Sequence, residues 1–321
     1  MKIYALNMDH SSRRLILVTG IPRSGTTAVG RMLSLAPHAC TLHEPFNYHS
    51  GLRQINAYFE IPGAPSFPFQ MLDQIICNAK QLELAFKLGV FPTDEGLRRV
   101  IKSIIGGRPL NTYRRLRLYP AVKTIIWKDP AACFTADYVS KQHDVDVLVT
   151  LRNPWAVAAS FKRMEWAFDL SDISTRLSQA GIDGRNILPL VGGQVHNSVV
   201  NAGVLWVTIY SVLAKWADTN TRIHIVNLDE ILAHPNSAYA KIYQLLKLEW
   251  TDRVSRKISK LYRTTSDSIV PKHKKAHDQN RDIRKVNDYW REILTEEECD
   301  FIANHVTPHW EKLQRVGAGK S

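Results

Sequence analysis

Residues 15–27 read LILVTGIPRSGTT. An apolar run ends at Gly20, and Gly25 follows five positions later. That spacing is the glycine skeleton of a nucleotide phosphate loop. Its setting agrees, with a buried strand before it and an amphipathic segment after it. Val29, Met32, Leu33 and Ala36 recur at helical spacing until Pro37 ends the pattern. Glycines allow a tight turn in which successive N–H groups converge on an anion, and the following helix adds its positive end.

The loop departs from that of a nucleoside triphosphatase. Thr26 and then Thr27 stand where a lysine and a metal-binding hydroxyl are expected. The cation of this loop is Arg23 instead. The loop can therefore hold a phosphate but suits ATP with magnesium poorly.

Working outward, further β-rich runs lie at 122–127 (VKTIIW), 145–151 (VDVLVTL) and 222–227 (RIHIVN), with a weaker one at 40–43 (CTLH). They do not alternate polar and apolar residues, as expected for strands buried on both faces of a parallel sheet. Helical stripes fall between them. Val157, Phe161, Met164 and Phe168 follow Pro154, and Tyr239, Ile242, Tyr243 and Leu246 lie within 235–248. Thr295 with Glu298 signals a capped last helix. The alternation predicts a three-layer α/β fold, a mainly parallel central sheet flanked by helices, of the phosphate-loop NTPase-like kind. The whole chain, 1–321, reads as one domain. Segments 61–120 and 170–198 break the alternation and read as insertions on the acceptor side of the sheet.

A second anion-binding feature lies in LVTLRNPWAVAAS, residues 148–160. A buried strand emerges at Arg152, Pro154 opens a helix, and Ser160 sits one position off its apolar stripe. An arginine at a strand end beside a helix start can grip a phosphate with a fork of donors. Two separate phosphate sites suit a nucleotide with both 3′ and 5′ phosphates.

These residues resemble the sulfotransferases that use 3′-phosphoadenosine 5′-phosphosulfate. GIPRSGTT is similar to the family's 5′-phosphosulfate loop, and LRNPWAVAAS to its 3′-phosphate motif. IVNLDEILAHPNSAYAKIYQLLKLEW resembles the strand-and-helix segment that follows. Arg23 in PRSGTT, with HEP at 43–45, resembles the branch of tyrosylprotein, carbohydrate and bacterial enzymes. The resemblance implies Arg23, Ser24, Gly25, Thr26, Thr27, Arg152 and Ser160 as donor-binding residues. It implies Glu44 as the base and Lys128, in WKDP, with Arg23 as the charges on the transferring sulfonyl group. RKVNDYW resembles a late basic run, and Lys285, then Arg281, are carried over as donor contacts. The product would be 3′,5′-diphosphoadenosine. In-line sulfonyl transfer requires positioning, neutralised oxygens and one proton acceptor, and no metal. His43 is an alternative base. On an extended run neighbours point opposite ways, so only one of His43 and Glu44 should face the donor.

Composition bounds the rest. The 42 Lys+Arg against 30 Asp+Glu give a net charge of +12, which favours anionic partners. Residues 253–285 are rich in Lys and Arg, but few aromatics interleave with them, so nucleic acid is not expected. Cys40, Cys77, Cys133 and Cys299 have no metal spacing and read as reduced thiols. No window of about 20 apolar residues and no signal peptide stand out, so a cytoplasmic protein is expected. The acceptor is a hydroxyl, read as that of a glycan or glycolipid, anionic or lipid-linked. Two alternatives stand beside this reading, a small-molecule kinase and a non-catalytic nucleotide- or glycan-binding protein of the same fold.

Overall fold

The computed structural model describes residues 13–89, 105–183, 197–263 and 288–318, with Gly96. Strand β1 (Arg14–Thr19) leads through the loop into helix α1 (Thr26–Leu33) and β2 (Ala39–His43). Helices α2 (Phe69–Gln81) and α3 (Arg108–Arg117) precede β3 (Thr124–Lys128). A 3₁₀ turn (Pro130–Thr135), α4 (Ala136–His143), β4 (Asp146–Leu151), α5 (Pro154–Met164), α6 (Leu170–Gln179) and α7 (Ser198–Thr219) follow. Then come β5 (Ile223–Asn227), α8 (Leu228–Ala233), α9 (Pro235–Leu245), α10 (Asp252–Arg263), α11 (Glu296–His305) and α12 (Thr307–Ala318). All five expected strands form.

The strands make one parallel sheet in the order β2-β3-β1-β4-β5. Strand β1 is central, and its unbroken apolar run feeds two cores. Leu15 and Leu17 enter the core on one face, whereas Ile16 and Val18 enter the core on the other. The period of two in a pleated strand separates them, and helices on both faces bury them. One face is covered by Val29 and Leu33 of α1 with Tyr239, Ile242 and Tyr243 of α9. The other holds Leu205, Trp206, Ile209 and Tyr210 of α7.

Helix α7 departs from the sequence expectation. It is 22 residues long and apolar enough to cross a membrane by length and composition. Its apolar window is 78% buried, and Asn197 caps it by accepting from the Val199 and Val200 amides. It packs as a core helix, buried almost all round, which is why it lacks the one-sided stripe that marks the others.

Helix α5 stops at Met164, so Phe168 is not on its stripe. Glu165 adopts a left-handed φ of +54°, and the Glu165 and Trp166 amides donate to Lys162 and Phe161. Phe168 still reaches the core, with its ring 5.1 Å from that of Phe59. At the C-terminal end the expected capping box of Thr295 and Glu298 is present.

Candidate active site

The site residues stand at the carboxyl ends of adjacent strands, where open α/β sheets bind ligands. The phosphate-type loop follows β1, Glu44 follows β2, Lys128 ends β3 and Arg152 follows β4. In the register His43 pairs with Lys128, which also pairs with Val18. The sequence places these residues far apart; the parallel sheet brings them to one edge.

The loop is pressed onto the end of β4. A Cβ built at Gly20 would lie 2.6 Å from the Thr150 carbonyl oxygen, so only glycine fits. The Ser24 amide donates to Ile21, and its hydroxyl shares a 2.7 Å hydrogen bond with Thr150 Oγ1. Both polar groups of Ser24 are thus engaged inside the loop, and its side chain shapes the turn. Tyr210 of α7 donates to the Thr150 carbonyl, and Trp206 donates through Nε1 to Arg152. Sequence reading missed these two α7 supports, because the segment carries no strand–helix signature of its own.

Arg23 has a left-handed φ of +76°, a conformation that costs a non-glycine residue about 1–2 kcal/mol. Two hydrogen bonds hold it there. Arg23 Nε donates to Ser160 Oγ at 2.8 Å, and Arg152 Nη1 donates to the Arg23 carbonyl at 2.7 Å. The two anion motifs of the sequence are therefore one joined structure. Ser160 is fully buried, but at this junction rather than in the apolar core. Gly25 caps α1 at φ +93° without any side-chain cap, and Thr26 and Thr27 begin the helix. An N-terminus of that kind offers its amides to an anion.

Cations gather around this point. Burial, followed by the charge of Arg152, pushes the Arg23 guanidinium down to about 10. Burial also lowers Arg152, with Tyr289 and Asp229 acting the other way. Arg163, one turn beyond Ser160, acts electrostatically on both. Its Nε and Nη2 are buried without a hydrogen-bond partner, and its guanidinium lies 5.8 Å from the Tyr289 ring centre. A buried unpaired guanidinium nitrogen is costly, and such nitrogens beside two further arginines could be satisfied by an anion. Arg163 and Tyr289 were not singled out in the sequence, although Tyr289 falls within the quoted RKVNDYW. Lys285 and Arg281 lie outside the described residues.

The second half of the site is an ion pair. Lys128 Nζ donates to Glu44 Oε1, with the lysine side chain 3% and the glutamate 20% exposed. The stem of Lys128 runs across α1 at Gly30, where a Cβ would come within 3.0 Å of Lys128 Cγ. Glu44 Oε2 accepts from Asn47 Nδ2 at 3.2 Å. Burial alone would raise the Glu44 carboxyl, but Lys128 and then His43 overcome it and hold the group at about 2.

The strand-alternation argument for choosing between His43 and Glu44 does not apply. Glu44 leaves the strand with a left-handed φ of +45°, its amide bonded to the Lys128 carbonyl at 2.7 Å. Both side chains consequently turn to one side, with His43 Nε2 3.8 Å from Glu44 Oε1. Arg23 and Glu44 are both non-glycine residues at positive φ, and such strain clusters at functional sites.

Asp129 does not pair with its neighbour Lys128. It accepts from the amides of Phe46 at 2.6 Å and Ala131 at 3.0 Å, and from Trp127 Nε1 at 3.4 Å. Burial, then the charge of Glu44, pushes its carboxyl up to about 7. It ties the Glu44 turn to the end of β3. Asp129→Ala strands these donors at roughly 1–3 kcal/mol each. Its unfolding midpoint in urea is expected to fall well below that of the wild type, with Asp129→Asn intermediate.

Sheet order, loop and cationic edge define an α/β protein of the phosphate-loop type with a cluster of arginines and a buried carboxylate–lysine pair at one sheet edge. The chain belongs to the sulfotransferase family, whose model matches residues 16–252. Solved structures similar to it include the sulfotransferase domain from the Synechococcus PCC 7002 olefin synthase. That match has 14% identity and TM-score 0.40, over 92% of this chain and 96% of that one. Mouse sulfotransferase SULT7A1 complexed with PAP matches at 13% identity and TM-score 0.43, over 92% and 84%. Sulfotransferase STF1 from Mycobacterium tuberculosis H37Rv matches at 17% identity and TM-score 0.40, over 78% and 72%. Comparison with the curated proteins finds no match.

Proposed function

We propose that this sulfotransferase moves a sulfonyl group from 3′-phosphoadenosine 5′-phosphosulfate to an acceptor hydroxyl, that of a glycan. The observation that carries the reading is the joint between the two anion motifs, Arg23 Nε to Ser160 Oγ and Arg152 Nη1 to the Arg23 carbonyl. The uncapped start of α1 suits the 5′ end of the donor. Arg152, Ser160 and Arg163 suit its 3′-phosphate.

Glu44 takes the proton of the acceptor hydroxyl as the acceptor oxygen bonds to sulfur and the bond from sulfur to the phosphate oxygen breaks. Arg23 and Lys128 neutralise charge on the sulfonyl oxygens. A carboxyl held at about 2 is a weak base, which gives the Lys128–Glu44 pair a purpose. Lys128 shares its charge with the sulfonyl oxygens once the donor is in place. Glu44 then keeps its burial but loses part of its main stabiliser, so its basicity rises only when transfer can occur.

The test is transfer of labelled sulfonate from the donor to a panel of glycans; no transfer to any of them, with donor binding intact, favours a non-catalytic binding protein. Arg163→Gln is expected to weaken 3′,5′-diphosphoadenosine binding by about 10- to 100-fold, the worth of a charge-assisted contact. Its affinity for adenosine 5′-monophosphate should hardly change. Calorimetry of both ligands checks this, and equal losses would remove Arg163 from the 3′-phosphate.

A further inference from the structure

Away from the donor edge lies a cavity of about 370 Å³, within the range of roughly 300–1,000 Å³ typical of small-molecule sites. Two chain segments form it, residues 48–58 after Glu44 and residues 167–176 around the start of α6. Arg176 of α6 latches them together. Its Nη1 donates to the Phe59 carbonyl at 2.7 Å and its Nη2 to that of Tyr58 at 3.0 Å. Its Nε and Nη2 both bond Asp172.

The cavity wall is continuous in the chain with the Glu44 turn. Asn47, which donates to Glu44 Oε2, also accepts through Oδ1 from the amides of His49 and Ser50 and from the Ser50 hydroxyl. That turn carries Tyr48, a wall of the cavity. Tyr58, the next wall, feels the Glu44 charge, which together with burial raises its phenol.

The lining is of two kinds. Tyr48, Tyr58 and Phe168 present ring faces, with Tyr58 5.4 Å from Tyr48 and 5.2 Å from Phe168. Tyr48 and Tyr58 are 38% and 37% exposed, high for large aromatic side chains. Asn56, Asp169 and Asp172 supply polar groups. A purely apolar alcohol would strand these polar groups. An anionic acceptor would meet two carboxylates, and the lining cation cannot grip it, because four of the five guanidinium N–H donors of Arg176 are already committed. Lys87, whose ammonium lies 5.2 Å from the Tyr48 ring centre, donates to the carbonyls of Tyr48 and Ile55.

We infer that this cavity is the acceptor subsite and takes an uncharged sugar ring, stacked by an apolar face on Tyr58 and Tyr48 and held through hydroxyls by Asp172 and Asn56. The inference rests on the sulfotransferase reading for its chemistry, and it reverses the expectation of an anionic acceptor drawn from the net charge. Among the described residues the lining itself carries two carboxylates, Asp169 and Asp172, against one guanidinium, that of Arg176.

The test needs no turnover. The full chain is titrated with methyl β-glucoside, methyl α-mannoside and the matching methyl glucuronide, and binding is followed by saturation-transfer NMR. At least one neutral glycoside is expected to bind, with the glucuronide tenfold or more weaker. Tyr58→Ala should weaken the neutral ligand at least tenfold and Asp172→Asn several-fold. Asn56→Ala, which leaves the Arg176 latch intact, should also weaken it if Asp172→Asn proves unfolded. A glucuronide that binds as well as the glycoside, unchanged affinity in Tyr58→Ala and Asn56→Ala, or binding of a phenol or fatty alcohol in place of any glycoside overturns the assignment. Titration with 3′,5′-diphosphoadenosine separates the two readings. If wild type fails to bind it, the donor assignment falls whatever the sugars do; if all variants bind it equally, any loss of glycoside belongs to the cavity.

Discussion

Glu44→Gln is expected to lower kcat by about 10²–10⁴-fold, the usual worth of a positioned general base. Glutamine keeps the volume and one acceptor but cannot take a proton from the acceptor hydroxyl. Affinity for 3′,5′-diphosphoadenosine should stay near that of the wild type, since the proposed donor contacts belong to the loop after β1, the residue after β4 and α5. The substitution also leaves the buried Lys128 without its carboxylate, a loss that reaches about 3–5 kcal/mol for a broken buried pair. Rates are therefore to be normalised to folded protein by near-UV circular dichroism. Parallel losses of donor affinity and kcat would remove Glu44 from the role of base. Full activity in Glu44→Gln with loss in His43→Ala would move that role to His43.

Lys128→Met should act through two effects that a pH profile separates. The first is a fall in kcat of about 10²–10³-fold, as for removal of one donor aimed at developing charge. The second concerns the base itself. In the wild type Lys128 and His43 hold Glu44 at about 2 against the effect of burial. The base works unprotonated, so wild-type kcat/KM should remain flat as pH falls through 5 and 4. Without Lys128, the largest lowering cause, burial is opposed only by His43 and Asn47, and the carboxyl rises from about 2 towards or beyond its ordinary value. The acid limb of Lys128→Met should move up accordingly. Stability follows the same sign. A carboxyl lowered in the fold stabilises it fully above the ordinary carboxyl value of 4.5 and loses that contribution as pH falls towards 2. Urea midpoints of the wild type between pH 5 and pH 3 should therefore decline, and those of Lys128→Met should decline less through this group. Superimposable acid limbs in the two proteins would contradict the coupling.

Much of this architecture is legible in the residues alone. The run at 15–19 is unbroken because β1 feeds two cores, and that same feature marks it as a central parallel strand. Gly20 and Gly25 announce the loop because no other residue fits the approach to Thr150 or the turn before α1 so readily. Helix α7 was hidden for the opposite reason, because burial on nearly all sides erases periodicity. Glu44 was offered as the base by resemblance, and the alternation of a strand does not separate it from His43, since a single residue at φ +45° cancels that alternation. Arg163 carries no motif; its importance lies in two buried nitrogens without partners, which only packing reveals. The acceptor cavity was expected from 61–120 and 170–198. The cavity proposed for the acceptor takes one wall from residues 48–58, ahead of the first of these segments, and part of the other (Asp172, Ile173 and Arg176) from the second.

On the proposed reading, one edge of the sheet holds a nucleotide with phosphates on both its 3′ and 5′ oxygens. Calorimetry of the wild-type protein with 3′,5′-diphosphoadenosine and with adenosine 5′-monophosphate, both in excess chelator, measures it directly. Metal-independent binding of the bisphosphate is expected, tighter by about 10- to 100-fold than that of the monophosphate. Equal affinity for the two, or no binding until magnesium is supplied, would contradict it.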